Sequence, residues 1–307
     1  MIYLVDGSHL LHRMKHVPGL CDLSDSRGRP TGMVMGFLNS LIKIRRDSKS
    51  TAEFVICWDK ASSAYRTKMY TEYKGDRYSE LTDEDRTRLA QYNEARLLVI
   101  DVCGLLQIPT IQIHGVEADD IIGHFSRKKM PKRKVILSED SDLYQLLNDD
   151  TDQYCPVKGK LLTKNSFIEE YSLIPEKFRE QYIMILSMTG THNNVEGIKG
   201  IGSVTARKIS EILLNGGEIT PTSAKNKSFL EHRSEYERNI KLVDIYHGLD
   251  NEGIGVMIDA EVTSKSCLGA LSYNFLGTVD YLRDLELNRV IQNICYLENS
   301  GYRGPLL

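Results

Sequence analysis

The sequence predicts an α/β fold built on a mostly parallel sheet, followed by a smaller helical part. Three observations carry that prediction. The first half alternates short apolar runs rich in Ile and Val with longer helix-like stretches. Such short runs are typical of buried parallel strands. Past about residue 160 they thin out and helix patterns take over.

In chain order, "IYLV" (2–5) reads as a buried strand followed by a polar turn. A helix is expected over 31–46, then the strand "EFVICW" (53–58). The next helix, 82–106, opens with Thr82 before a run of acids, a favourable N-terminus. "TIQI" (110–113), a helix at 117–129, "KVILS" (134–138) and a helix at 142–148 complete the alternation. Helices follow at 164–171, 175–188, 204–214 and 228–243, and the tail joins a short apolar segment, "GIGVMI", to a helix at 278–297.

A chain of 307 residues is long enough for two domains with full cores. The net charge of -3 argues against a uniformly basic nucleic-acid binder, yet permits local basic surfaces beside an acidic pocket. No apolar run approaches a membrane span, and the start lacks the basic flank and cleavage site of a signal peptide. The expectation is a cytoplasmic protein without a membrane partner. Cys21, Cys57, Cys103, Cys155, Cys267 and Cys295 form no CxxC pair, so reduced thiols are expected and zinc is not.

Acids gather where the strands end. Asp6 follows the first strand, Asp59 the second, and Asp140 and Asp142 the fourth; "VEADDIIG" adds Glu117, Asp119 and Asp120 at a helix start. Carboxyl ends of parallel strands share one rim, where ligands bind. Each acid alone reads as a helix cap or a solvated turn. Together they would repel unless a hard divalent cation, Mg²⁺ or Mn²⁺, compensated them. Such ions serve phosphoryl chemistry. His9, His12 and His16 can share a helix face but lack a strong partner ligand, so surface or partly buried polar positions are expected.

Downstream of Asp59, Arg66, Lys68, Lys74 and Arg77 interleave with Tyr65, Tyr70, Tyr73 and Tyr78. Beside an acidic rim this pattern suits single-stranded nucleic acid, with cations for phosphates and rings for bases. "SRKKMPKRK" reads instead as a solvated connection on the opposite rim. Gly197, Gly200 and Gly202 precede Ser203 and a helix, a turn whose N–H groups can meet a phosphate. It lacks the GxxxxGK[ST] spacing of a nucleotide loop.

"VDGSHLLHR", "WDKASSAYRTKMYTEYKGDR", "VEADDIIG", "ILSEDSDLYQLL" and "GIKGIGSVTARKI" occur in the order found in the 5′ nucleases. Over residues 1 to about 215 the chain resembles bacteriophage 5′–3′ exonucleases and flap endonucleases, and the 5′-nuclease domain of bacterial DNA polymerase I. The resemblance implies a PIN-like nuclease domain over 1–174 with a helical arch, or a less ordered loop, at about 65–100. It implies a helix–three-turn–helix DNA-binding module over 175–250 and a C-terminal segment, 250–307, packing on the core. It implies Mg²⁺ or Mn²⁺ at a first site of Asp6, Asp59, Glu117 and Asp119, with Asp120 close by. Asp140 and Asp142 would hold a second ion with two aspartates of a "GDxxDN" segment. Arg66 and Lys74 would stabilise the reacting phosphate, and Arg77 would engage the 5′ strand. Gly197, Gly200, Gly202 and Ser203 would grip duplex DNA, with K⁺ at the turn. Here "TGTHNN" replaces "GDxxDN", and counting back from Gly197 puts Gly190 and Asn193 where the aspartates belong. The first site is therefore expected complete and the second depleted. The implied function is a metal-dependent 5′–3′ exonuclease with 5′-flap endonuclease capacity, removing RNA primers or flaps. The partners would be DNA with a 5′ flap, nick or 5′ end, or an RNA–DNA hybrid, met by a monomer. The alternative is a branched-DNA binder with little cleavage. A single nuclease unit without a polymerase suits a phage-encoded or stand-alone enzyme, in the first case in the host cytoplasm.

Overall fold

Burial on both faces decides Ile2–Asp6 (β1), Glu53–Asp59 (β2) and Lys134–Leu137 (β4), whereas Thr110–Ile113 (β3) is an edge strand in which Ile111 is the buried residue. The computed structural model describes residues 1–49, 51–73, 81–191, 195–267 and 274–304. With Thr151–Cys155 (β5) and Lys160–Leu162 (β6) these strands form one sheet of order β3-β2-β1-β4-β5-β6. β1 to β5 pair in parallel and β6 is antiparallel. The chain works outward from β1 to β3, then returns to the other side of β1. That reversal opens a crevice at the carboxyl ends beside β1, the usual place for a ligand in such a sheet.

Helices cover both faces. Gly7–Lys15 (α1), Thr31–Asp47 (α2) and Asp83–Leu105 (α4) pack on one face with the last helices, Phe275–Asp284 (α13) and Asn288–Ile291 (α14). Their core centres on Phe37, Leu41, Trp58 and Leu282. Ala118–Arg127 (α5), Ile245–Asn251 (α11) and Ile254–Cys267 (α12) cover the other face around Ile121, Phe125 and Ile258. Ala64–Met69 (α3) links β2 to the arch region. A third core, with Met188, Phe229 and Tyr236 at its centre, lies among Lys164–Tyr171 (α6), Phe178–Thr189 (α7), Ser203–Leu214 (α8), Ala224–Glu231 (α9) and Arg233–Val243 (α10).

The structure corrects several local expectations. The polar turn after β1 is α1, because Asp6 caps it by accepting from the His9 N–H at 2.9 Å. The helix expected at 142–148 is a 3-10 turn, Ser141–Leu146. β5 has no apolar run to announce it. Its buried Thr151 hydroxyl and Gln153 amide nitrogen donate instead to the carbonyls of Ser126 and Ser138. The helix expected at 228–243 divides at His232 into α9 and α10. "GIGVMI" opens α12, and the helix expected at 278–297 breaks where Glu286 takes a left-handed φ of 56°. Cys57, Cys103 and Cys155 are buried free thiols, whereas Cys295 is exposed. No helix among the described residues is long and apolar enough to cross a membrane.

Candidate active site

Each acid of the rim is placed by a local rule. Asp6 ends β1 and caps α1; its second oxygen accepts from the Ser138 hydroxyl at 3.0 Å, just past β4. Asp59 ends β2, and one of its oxygens accepts from the Ala118 N–H at 2.7 Å, the first residue of α5. Asp140 caps the 3-10 turn through the Asp142 N–H at 2.9 Å. The capping role expected of these acids singly is present at Asp6 and Asp140. Capping orients the carboxylates, and strand order brings them to one rim.

Asp6, Asp59, Glu117, Asp119 and Asp140 line one open cleft of ≈ 690 Å³. Its walls are α1, through Ser8, His9, His12 and Lys15, and α4, through Asp85, Leu89, Tyr92, Asn93 and Arg96. Asp6 is buried at its base. Burial, then the charges of Asp59 and Asp140, pushes its carboxyl up to about 7. Burial also pushes His9 down, and its Nε2 has no hydrogen-bond partner among the described residues.

Three expected site residues are turned elsewhere. Arg66 is 3% exposed and does not present its guanidinium to the cleft as a phosphate clamp. It forks onto Asp120 at 2.7 and 3.0 Å, bonds Glu117 at 3.0 Å, and donates through Nε to the Leu242 carbonyl at 3.1 Å. Burial alone would push that guanidinium down, but Asp120 foremost among its partners holds it firmly charged. Asp120, fully buried, is the counter-ion of Arg66 and not a cleft acid. Glu117 reaches the cleft but is committed to Ser63 N–H, Arg66 and the Tyr73 hydroxyl. The reason is electrostatic. A buried guanidinium demands carboxylates, and these two were nearest. Asp142 lies apart from the cleft, in a small cavity with Asp119.

Lys74, Arg77 and Asn193 lie outside the described residues, as does the centre of the expected arch, 74–80. "SRKKMPKRK" does sit on the rim opposite the acids. Its cations are tied down by Asp250, Asp259, Glu53 and Asp152, and Lys134 is buried against the carbonyls closing α5. The glycine turn is exposed. Gly200 holds φ +80 in open space, Gly202 precedes α8, and Ser203 opens that helix. A Cβ at Gly197 would strike the Thr189 backbone. Sequence reasoning missed the cleft walls. The face Asp85, Leu89, Tyr92, Arg96 repeats every three or four residues, but it became meaningful only once α4 lay over the rim.

Among the described residues no three His, Cys, Asp or Glu side chains converge into a ready-made metal centre. The donors in the cleft are nonetheless carboxylate oxygens, and Asp6 is held uncomfortably close to two more acids. That donor set suits a hard divalent cation, which would draw the acids together.

The family model described as "5′-3′ exonuclease, N-terminal resolvase-like domain" matches residues 1–172. Thermostable DNA polymerase I of Thermus aquaticus is 33% identical over 213 residues, 68% of this chain and 24% of the polymerase. The chain thus spans about a quarter of that relative's length. A 5′-3′ exonuclease of Aquifex aeolicus is 27% identical over 261 residues, covering 82% of this chain and 83% of the relative. Among solved structures, a T5 5′-exonuclease with divalent metal ions (zinc) bound superposes with TM-score 0.67 at 20% identity, covering 97% of this chain and 99% of that one. The bacteriophage T5 D15 flap endonuclease, seen with DNA and metal ions, gives TM-score 0.66 at 18% identity over 97% and 98% of the two chains.

Proposed function

The chain belongs to the 5′–3′ exonuclease family of phosphodiester hydrolases, and on that premise we propose that it is a metal-dependent 5′–3′ exonuclease with 5′-flap endonuclease capacity on DNA, trimming flaps or RNA primers. The observation that carries this reading is the cleft, which Asp6, Asp59, Asp119 and Asp140 line between α1 and α4 at the carboxyl edge of the sheet. These four would hold the ion. A bound Mg²⁺ or Mn²⁺ supplies Lewis acidity and offsets phosphate charge in phosphodiester hydrolysis. The chain's own residues supply the rest. Lys15, Lys60 and Arg96 in the cleft walls would attract a phosphodiester that the carboxylates alone would repel. Ser8 holds the Asp59 N–H at 2.9 Å, and Arg96 holds the Asp59 carbonyl at 3.0 Å, fixing that carboxylate at the end of β2. Lys74 and Arg77 enter the proposal on the family resemblance, as groups meeting the reacting phosphate and the 5′ strand.

Duplex DNA would lie on the helical part, its backbone against Gly197–Ser203 and the start of α8, with K⁺ at the turn and the chain acting as a monomer. Helix N-termini attract phosphate through unpaired N–H groups and the macrodipole. The second reading, a branched-DNA binder with little turnover, draws on the commitment of Glu117 to Arg66 and Tyr73.

One experiment separates the readings. A labelled 5′-flap DNA is incubated with the protein in Mg²⁺ or Mn²⁺, beside Asp59→Asn, with binding measured in parallel. Cleavage is expected, reduced about 10²–10³-fold in the variant, the scale of losing a key electrostatic group. Binding without cleavage, or equal cleavage by both proteins, would falsify the nuclease reading.

A further inference from the structure

The cleft and the glycine loop are held by different elements. α3 and the turn after it reach the cleft, where Arg66 and the Tyr73 hydroxyl both hold Glu117, at 3.0 and 2.9 Å. α10 reaches the loop, where the Asn239 amide donates to the carbonyls of Ser187 and Glu196, at 3.0 and 2.8 Å. Tyr70 closes α3, its N–H donating to the Arg66 carbonyl at 2.8 Å. Arg238 precedes Asn239 on α10. These two side chains meet, the Arg238 guanidinium lying over the Tyr70 ring at 4.3 Å from its centre.

Both partners are oriented by bonds of their own. Arg238 donates through Nε and a terminal nitrogen to the Asn239 Oδ1, at 3.3 and 3.0 Å, so the amide that carries the loop also aims the guanidinium. The Tyr70 hydroxyl donates to Glu72 at 2.6 Å, and its ring packs against the helical core. Tyr70 and Arg238 are each half-buried, where a cation over a ring is worth more than at a fully exposed site. The same two elements also meet at Arg66, whose Nε donates to the Leu242 carbonyl at 3.1 Å. Arg66 and Tyr70 are one turn apart along α3, and Leu242 and Arg238 one turn apart along α10. One link alone is a pivot. Two links a turn apart fix how one helix is rotated against the other.

We propose that Arg238 is a positioning residue of the nuclease: lying on Tyr70, it holds α10 and its glycine loop in register with α3 and the cleft, so that a duplex gripped at the loop presents its strand correctly to the carboxylates. Arg238 does not itself line the cleft. The inference rests on the nuclease reading of the cleft and on duplex DNA lying against the glycine turn. Removing the contact leaves the Arg66 link as a pivot. The duplex then still binds, but the reacting groups are misplaced, and a misplacement of about 1 Å costs up to about 10²-fold in rate.

The test sets single-turnover cleavage of a labelled 5′-flap DNA in Mg²⁺ beside binding of an unflapped duplex, for the full chain and its variants. Arg238→Ala and Tyr70→Leu should each slow cleavage of bound flap about tenfold, the scale of one partly desolvated cation–ring contact, and leave duplex affinity within about twofold. Tyr70→Phe keeps the ring face and should stay within about twofold of the native rate. The double variant Arg238→Ala, Tyr70→Leu should be no slower than either single one, because both remove the same contact. Native cleavage that the variants leave unchanged overturns this inference and leaves the nuclease reading standing. A double variant slowed by the product of the two single effects does the same. So does a thermal midpoint that falls in step with the rate, which would make the contact merely structural. Duplex binding weakened by Arg238→Ala alone also overturns it, and would make Arg238 a phosphate contact. A native chain that cuts no flap overturns the nuclease reading and this inference with it.

Discussion

At the scale of the single residue, Asp6 shows how a fold creates an acidic rim. Its carboxyl titrates near 7 because it is buried and faces Asp59 and Asp140. The raised value means that the folded chain holds a proton that the unfolded chain has released between about pH 4 and 7. Stability from this group is therefore full below the unfolded value and is lost as pH rises through 7. In metal-free buffer the thermal midpoint should fall across that window. Mg²⁺ should flatten the fall, and Asp6→Asn should remove it, raising the midpoint at pH 8 by about 2–4 °C for each kcal/mol relieved. Scanning calorimetry at several pH values checks this; an Asp6→Asn profile that matches the native one sinks it. The residues of the rim were legible in the sequence because strand ends announce themselves. The partners of Glu117 and Asp120 were not, since nothing in "VEADDIIG" says that a guanidinium from α3 will be buried against them.

At the scale of the element, the glycine turn behaves as its composition suggests, but its glycines are not equivalent. Gly200 needs a left-handed backbone in open space, so Gly200→Ala should cost about 1–2 kcal/mol with no clash. Gly197 permits the close approach of the Thr189 backbone. Gly197→Ala should cost more than Gly200→Ala and should unseat the whole turn. Urea unfolding ranks the two, and the reverse order would overturn this assignment of their roles. The elements most legible in sequence were those with a simple burial pattern, β1 to β4 and the long α4. β5 escaped because most of its buried residues are polar, with Thr151 and Gln153 donating to distant carbonyls. The tail helix failed because a left-handed residue within it carries no glycine to mark the break.

At the scale of the molecule, the acidic rim and the helical part are joined by buried hydrogen bonds. Gln145 donates to the Asp142 and Val243 carbonyls and accepts from the Ile245 N–H. Asn239 ties the Ser187 and Glu196 carbonyls, which flank the glycine loop, to α10. Arg66 links α3, α5 and the end of α10 in one knot. Arg66→Ala should therefore cost about 3–5 kcal/mol, because it removes the buried counter-charge of Asp120 and Glu117. Adding Asp120→Asn should recover part of that loss by removing one orphaned charge. A double variant no more stable than Arg66→Ala would show that charge pairing is not what Arg66 supplies. Together these bonds tie the glycine turn, through α10, to the elements that carry the rim.

By itself the sequence determined the class of fold, the rim to which the acids are delivered and the family to which the motifs belong. Those depend on local signals: apolar runs, caps and the residues that follow strand ends. The tertiary structure alone decided which acids face the cleft, that Arg66 spends its charge inside the protein, and that Arg238 meets the ring of Tyr70. These depend on which groups become neighbours when water is excluded. A buried charge then takes whatever partner lies within reach, regardless of its distance along the chain.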